Sequence, residues 1–162
     1  MVKCAVFDID GVIFDVSDRI RATLEELGVD SIDRVKRNPK LRTKFWKIFL
    51  SPKYMHLDKP RLDVINYMRK LKNKGYKIII VTGRVLETQG EETKEQLKKY
   101  NVPYDEIFFR RKKDKRKDYE LKASIIQWLI FKGYEIVEVH EDSEEVINRL
   151  KLIIPSAKYY LY

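Results

Sequence analysis

Cys4 is the only cysteine in 162 residues, which excludes an intramolecular disulfide and any zinc cluster built on thiolates. Histidine is nearly as scarce, with only His56 and His140, so an imidazole metal centre is disfavoured too. No apolar run approaches the roughly 20 residues that a membrane-spanning helix needs. The opening Met1-Val2-Lys3-Cys4-Ala5-Val6-Phe7 runs into an acid at Asp8 and makes a poor secretory signal. Together these absences predict a soluble, cytoplasmic protein without a membrane attachment.

Hydrophobic residues amount to 44%, enough for a real core, so intrinsic disorder is excluded as the main description. The length suits one domain spanning residues 1–162. Lys and Arg number 34 against 25 Asp and Glu, a net charge of +9. A composition rich in Lys and Glu is also how heat-adapted proteins look. That adaptation adds both signs, however, and leaves the surplus unexplained. The surplus favours a polyanionic partner or substrate.

Strand-like and helix-like segments alternate along the chain. Lys3–Phe7 reads as a buried strand, and Ile20, Leu24 and Leu27 mark a helix over Ser17–Leu27, closed by Gly28. Residues 30–59 mix Phe45, Trp46, Phe49 and Tyr54 with seven basic side chains between Arg34 and Lys47; Pro39 and Pro52 bracket a short helix there. Residues 15–59 as a whole are expected to be a helical insertion or minimal cap. Pro60 is expected to open the next helix, with Val64, Tyr67, Met68 and Leu71 on one face. Tyr76–Val81 reads as a strand buried on both faces. A helix over 88–100 is expected from the capping-box spacing of Thr88 and Glu91. Further strands are expected at Glu106–Arg110, Glu135–His140 and Ala157–Leu161, and helices at Asp118–Lys132 and Ser143–Leu150. This order predicts an α/β fold, Rossmann-like, with a mainly parallel sheet and helices on both faces. Ligands in such folds bind beyond the carboxyl ends of the strands. Three of those ends are polar: Asp8 with Asp10, Thr82, and Glu141 with Asp142.

Asp8-Ile9-Asp10-Gly11-Val12 places two acids at i, i+2 on a strand end, a pattern that suits a divalent cation or an acidic strand-capping turn. The segment resembles the first motif of the haloacid dehalogenase superfamily of phosphohydrolases. A hydroxyl after an apolar strand (Thr82), a lysine near a later helix start (Lys122) and paired acids after another strand (Glu141, Asp142) follow in that superfamily's order. The resemblance implies Asp8 as nucleophile forming an aspartyl-phosphate, and Asp10 as general acid and base. It implies Mg²⁺ on Asp8, the Asp10 carbonyl, Glu141 and Asp142, with Asp142 the direct ligand and Glu141 acting through water. Thr82 would hold phosphoryl oxygens and Lys122 would neutralise developing charge. The bland alternatives are a satisfied strand end for Thr82 and a solvated surface lysine for Lys122.

A narrower resemblance lies in the run Arg110–Lys122, which is similar to the phosphatase domain of polynucleotide kinase/phosphatase. It implies substrate contacts from Gly83, Arg84, Arg110 and Arg116, and a role for Asp118 in orienting Lys122; Asp118 alone also reads as a helix N-cap. The implied substrate is a nucleic acid 3′-end, with a separate kinase or ligase as a partner, because no GxxxxGK[ST] occurs in this chain. The basic run Arg110–Lys117 and the aromatics Trp46 and Phe49 read either as a phosphate-binding groove with a stacking platform, or as a solvated loop and a hydrophobic cluster. Two other readings stand beside this one: a phosphatase of nucleotides or small phosphometabolites, and a non-catalytic nucleic-acid-binding module. The tyrosines of the C-terminus (Tyr159, Tyr160, Tyr162) suit an edge strand, a packing patch or a dimer contact.

Overall fold

The computed structural model describes all of residues 1–162. Its main sheet has five parallel strands in the order β5-β4-β1-β6-β7: β1 (Val2–Phe7), β4 (Lys77–Val85), β5 (Glu106–Arg110), β6 (Tyr134–Glu141) and β7 (Lys158–Leu161). Alternation along the central strands divides the core. Ala5, Phe7, Ile78 and Ile80 face one layer, formed by α4 (Leu62–Asn73) and α5 (Leu86–Lys99). Cys4, Val6, Ile79 and Val81 face the other, formed by α6 (Asp118–Phe131) and α7 (Glu144–Ile153). Strands buried on both faces require this near-continuous apolar composition. The chain builds outward from β1 through β4 to β5, then returns to β1's other side with β6. The switch in strand order thus falls at β1, and the crevice beyond it is where such a sheet takes its ligand.

Between β1 and α4 lie α1 (Ser17–Leu27), α2 (Ile32–Arg37), α3 (Pro39–Phe49) and a 3-10 turn, Met55–Leu57. They leave and return through a two-stranded antiparallel ribbon, β2 (Phe14–Asp15) against β3 (Lys59–Pro60). Val29, Val35, Phe45 and Phe49 pack into the same hydrophobic cluster as α4 and α5. Asn38 caps α3 by accepting from the Lys40 and Leu41 amides.

Three boundaries differ from the sequence reading. Pro60 does not open α4: it pairs with Phe14 in the ribbon, where a missing N–H is tolerated, and α4 starts two residues later. Helix α5 begins at Leu86, because the Gln89 side chain accepts from the Val85 amide, while the Thr88 hydroxyl donates to the Leu50 carbonyl. Strand β4 runs on past Val81, with its ladder to β5 broken between Val81 and Val85. The tyrosine-rich end forms the edge strand β7. There Tyr160 stacks on His140 at 4.4 Å, with Phe7 at 4.1 Å on the ring's other face, and Tyr162 hydrogen-bonds its Nδ1.

Candidate active site

The carboxyl ends of β1, β4 and β6 bring the polar residues together. Asp8, one residue beyond β1, is buried, and its Oδ1 accepts from the Ile9 amide at 2.8 Å. Lys122 reaches it from the first turns of α6: Nζ lies 3.2 Å from Asp8 Oδ2 and 2.8 Å from Glu141 Oε2. An ammonium with almost no exposure is held there by helical spacing, since Lys122, Ile126 and Leu129 fall at i, i+4 and i+7 on the buried face. Carboxylate oxygens of Asp8, Glu141 and Asp142 lie within 4.8 Å of one another. Two glycines make this approach possible. Gly11 sits at φ +82°, and a Cβ there would stand 2.3 Å from Asp142 Oδ2; a Cβ on Gly83 would stand 2.7 Å from Asp118 Oδ1.

The electrostatics follow from that crowding. Burial, then the charge of Glu141, pushes the Asp8 carboxyl well above the ordinary range against the pull of Lys122. Burial also raises Glu141. Asp142 opens to the surface, but its carboxyl group turns into the cluster, where desolvation and the Asp8 charge push it up to about 6. Burial alone would lower Lys122; the charges of Asp8, Glu141 and Asp118 outweigh it and keep the ammonium protonated. Three clustered carboxylates therefore have one ammonium among them, and it contacts Asp8 and Glu141. That oxygen-only, negatively unbalanced set fits a hard divalent cation better than any softer metal.

Asp10 lives in a different environment. Its Oδ1 accepts from Arg19 Nη2 at 2.5 Å and from Arg84 at 2.7 and 3.0 Å. Arg84 continues to Asp58, Thr93 and Gln96, and Arg19 to Asp58 and the Phe49 carbonyl. Burial works against the Asp10 charge, but the two guanidinium groups win and hold its carboxyl below the usual carboxylate range. Arg84, expected at the substrate, is thus fully buried and aimed at Asp10. Arg19, Asp58 and Gln96 escaped the sequence reading. The most buried positions of α1 are Arg19 and Thr23, while the apolar stripe Ile20, Leu24 and Leu27 is only half buried.

Thr82 is buried just where the β4–β5 ladder breaks, and its hydroxyl accepts from the Arg84 amide. Asp118 is the first residue of α6 and makes no cap bond; its carboxylate takes Arg110 at 2.9 Å and lies 3.8 Å from Lys122. Two further expected substrate contacts bond their own surroundings, Arg110 half-buried and Arg116 exposed. Arg110 donates to the Asp114 and Arg116 carbonyls, closing the 111–117 loop, and Arg116 is spent on Asp114 and Ser124. The loop leaves Lys112, Lys113, Lys115 and Lys117 exposed. Phe49, read as half of a stacking platform, is buried against Phe45, whereas Trp46 is exposed.

A family model described as the polynucleotide kinase PNKP phosphatase domain matches residues 47–153. The chain belongs to this family. It is a haloacid dehalogenase-type phosphatase, a phosphoric monoester hydrolase. The matched span holds Thr82, Lys122, Glu141 and Asp142 but begins after Asp8 and Asp10; the fold supplies the connection, through Lys122 on Asp8 and Arg84 on Asp10. Among solved structures, the Pnkp1/Rnl/Hen1 complex contains a chain with TM-score 0.73 and 20% identity, covering 100% of this chain and 46% of that one. This chain therefore spans under half of that protein. A haloacid dehalogenase-like hydrolase from Streptococcus pneumoniae gives 0.67 at 16% identity, covering 99% and 84%. CbbY from Rhodobacter sphaeroides in complex with phosphate gives 0.58 at 16%, covering 93% and 82%. These likenesses show the fold. No curated protein matches by sequence, and no helix is long and apolar enough to cross a membrane.

Proposed function

We propose that this phosphatase removes the terminal phosphate from a nucleic acid 3′-end through an aspartyl-phosphate on Asp8. The observation that carries the reading is the clustering of the Asp8, Glu141 and Asp142 carboxylates around one point, with the Lys122 ammonium on Asp8 and Glu141. Asp8 Oδ attacks phosphorus and the P–O bond to the 3′-oxygen breaks; Asp10, in its protonated form, which Arg19 and Arg84 keep a minority, delivers its proton to that oxygen and is left as the carboxylate. Water then attacks the acyl phosphate, Asp10 takes its proton, and inorganic phosphate leaves. Arg19 and Arg84 occupy Asp10 Oδ1, so Oδ2 is the oxygen available for this transfer. Lys122 and the Thr82 hydroxyl stabilise the transferring phosphoryl group, and Asp118 keeps Lys122 in place. Asp8, Glu141 and Asp142 would hold Mg²⁺, with the Asp10 carbonyl as a fourth donor. Bound there, the ion supplies charge that offsets repulsion between carboxylate and phosphate.

The family match, the exposed lysines of the 111–117 loop and the +9 charge support a polynucleotide substrate. A separate kinase or ligase acting on the same ends fits the likeness to Pnkp1, whose structure is a complex with Rnl and Hen1. The test is hydrolysis of a 3′-phosphorylated oligonucleotide beside 5′-phosphorylated oligonucleotides, nucleotides and sugar phosphates, with Mg²⁺ and with EDTA. A kcat/KM for the 3′-end at least about 100-fold above the others, a transition-state preference of about 2.7 kcal/mol, supports the reading. Comparable values throughout would make the chain a general phosphatase.

A further inference from the structure

We infer that the exposed arc of α3 is a second polynucleotide-binding surface, which holds the strand leading away from the active site. This rests on the polynucleotide reading above and names a part of the surface outside most of the matched family span, which begins at residue 47.

Read round the helix at about 100° per residue, the solvent side of α3 presents Arg42, Trp46, Thr43, Lys47, Lys40 and Lys44, all exposed. Lys40, Lys44 and Lys47 follow at i, i+4 and i+7, and no carboxylate pairs with any of them or with Arg42. The arrangement works against the helix. Like charges at i, i+4 repel, and Lys40 stands in the first turn, which has no acid, where the helix dipole favours one. A bound polyanion reverses both penalties. Trp46 adds an aromatic surface: Phe45 and Phe49 meet it at 88° and 84°, so neither lies flat on the indole, and 47% of the residue is exposed. An unstacked indole among cations is what a single strand's bases and phosphates require together.

The surface is joined to the active-site rim through α5. Glu87 accepts from Arg111 and the Lys112 amide, anchoring the basic loop to the first turn of α5. The next residue, Thr88, donates to the Leu50 carbonyl at the end of α3. Two basic segments distant in sequence therefore flank one helix start. A strand whose 3′-end sits at Asp8 crosses the loop lysines and continues along α3.

Two probes test this: a 3′-phosphorylated oligonucleotide of about 20 nucleotides, longer than the roughly 4–16 a strand-binding fold covers, and a 3′-phosphorylated dinucleotide. The Lys40→Ala/Lys44→Ala/Lys47→Ala variant raises KM for the long substrate about tenfold, with kcat and the dinucleotide unaffected. Its salt dependence becomes shallower by about 2, at roughly 0.7 for each phosphate left without its lysine. Trp46→Ala weakens the long substrate about tenfold at any salt, and the triple Lys→Arg variant retains wild-type behaviour. Equal losses on both substrates, or no loss on either, overturn the inference. Fluorescence anisotropy with an unphosphorylated strand of the same length reads the surface without catalysis. If the 3′-end is not a substrate, the proposed function fails, yet a Kd about tenfold weaker in the triple lysine-to-alanine variant still upholds the surface; an unchanged Kd removes it.

Discussion

Asp8 and Asp10, two residues apart, face opposite electrostatic problems. Asp8 shares a buried space with Glu141 and Asp142 and one ammonium, whereas Asp10 is over-supplied with guanidinium. Asp8→Asn is therefore expected to abolish turnover while the metal-free protein melts no lower than wild type, since a buried like-charge contact has been removed; a lower Tm would show that the Asp8 charge stabilises the fold. Lys122→Met does the reverse. It leaves Asp8 and Glu141 buried without their counter-charge, and chemical denaturation should show a loss of about 3 kcal/mol alongside the loss of activity. Asp8, Lys122 and Asp142 were legible because each motif carries its chemistry at a strand or helix end. Arg19 was not, because a buried arginine leaves no trace in hydrophobic periodicity, and its partner Asp58 lies in an irregular turn.

The elements were legible wherever apolar spacing decides them. Tyr76–Val81 and Glu106–Arg110 read as strands because β-branched and aromatic runs bounded by turn residues have few other solutions. The ribbon of β2 and β3 went unread, because two residues a side make no pattern and a proline points elsewhere. In α6 the apolar spacing Leu121, Ile125 and Leu129 is followed only in part: Leu121 and Leu129 are buried together with Lys122, Ala123 and Ile126, while Ile125 is half exposed. Apolar residues all round that helix erase its stripe, and its orientation combines the packing of Ala123, Ile126 and Leu129 with the ion pairs of Lys122 to Asp8 and Glu141. The close approach between β4 and α6 gives a clean test. Gly83→Ala should push Asp118 away and cut kcat more than tenfold with the far-UV circular dichroism unchanged; unaltered kcat would mean that Asp118 does not position Lys122. Gly11→Ala adds a left-handed backbone penalty of about 1–2 kcal/mol to a clash with Asp142, so both Tm and Mg²⁺ affinity should fall.

Across the whole molecule, a switch in strand order at β1 gathers the candidate site groups from residues 8 to 142, and exposed lysines lie in the 111–117 loop at its rim and along α3. Composition alone announced the charge but not its placement, since Arg110 and Arg116 of the basic run Arg110–Lys117 are engaged within their own loop and Arg111 pairs with Glu87 of α5. The fold class followed from the alternation of elements, and the assembly of the site followed from their carboxyl ends. Covalent catalysis at Asp8 is the claim on which the rest depends. Rapid acid quench during turnover with Mg²⁺, followed by peptide mapping, measures it directly: one phosphoryl group should appear on the peptide carrying Asp8, and none on the same peptide of Asp8→Asn. Turnover with a phosphoryl group on another residue, or undiminished turnover in Asp8→Asn, would contradict the account.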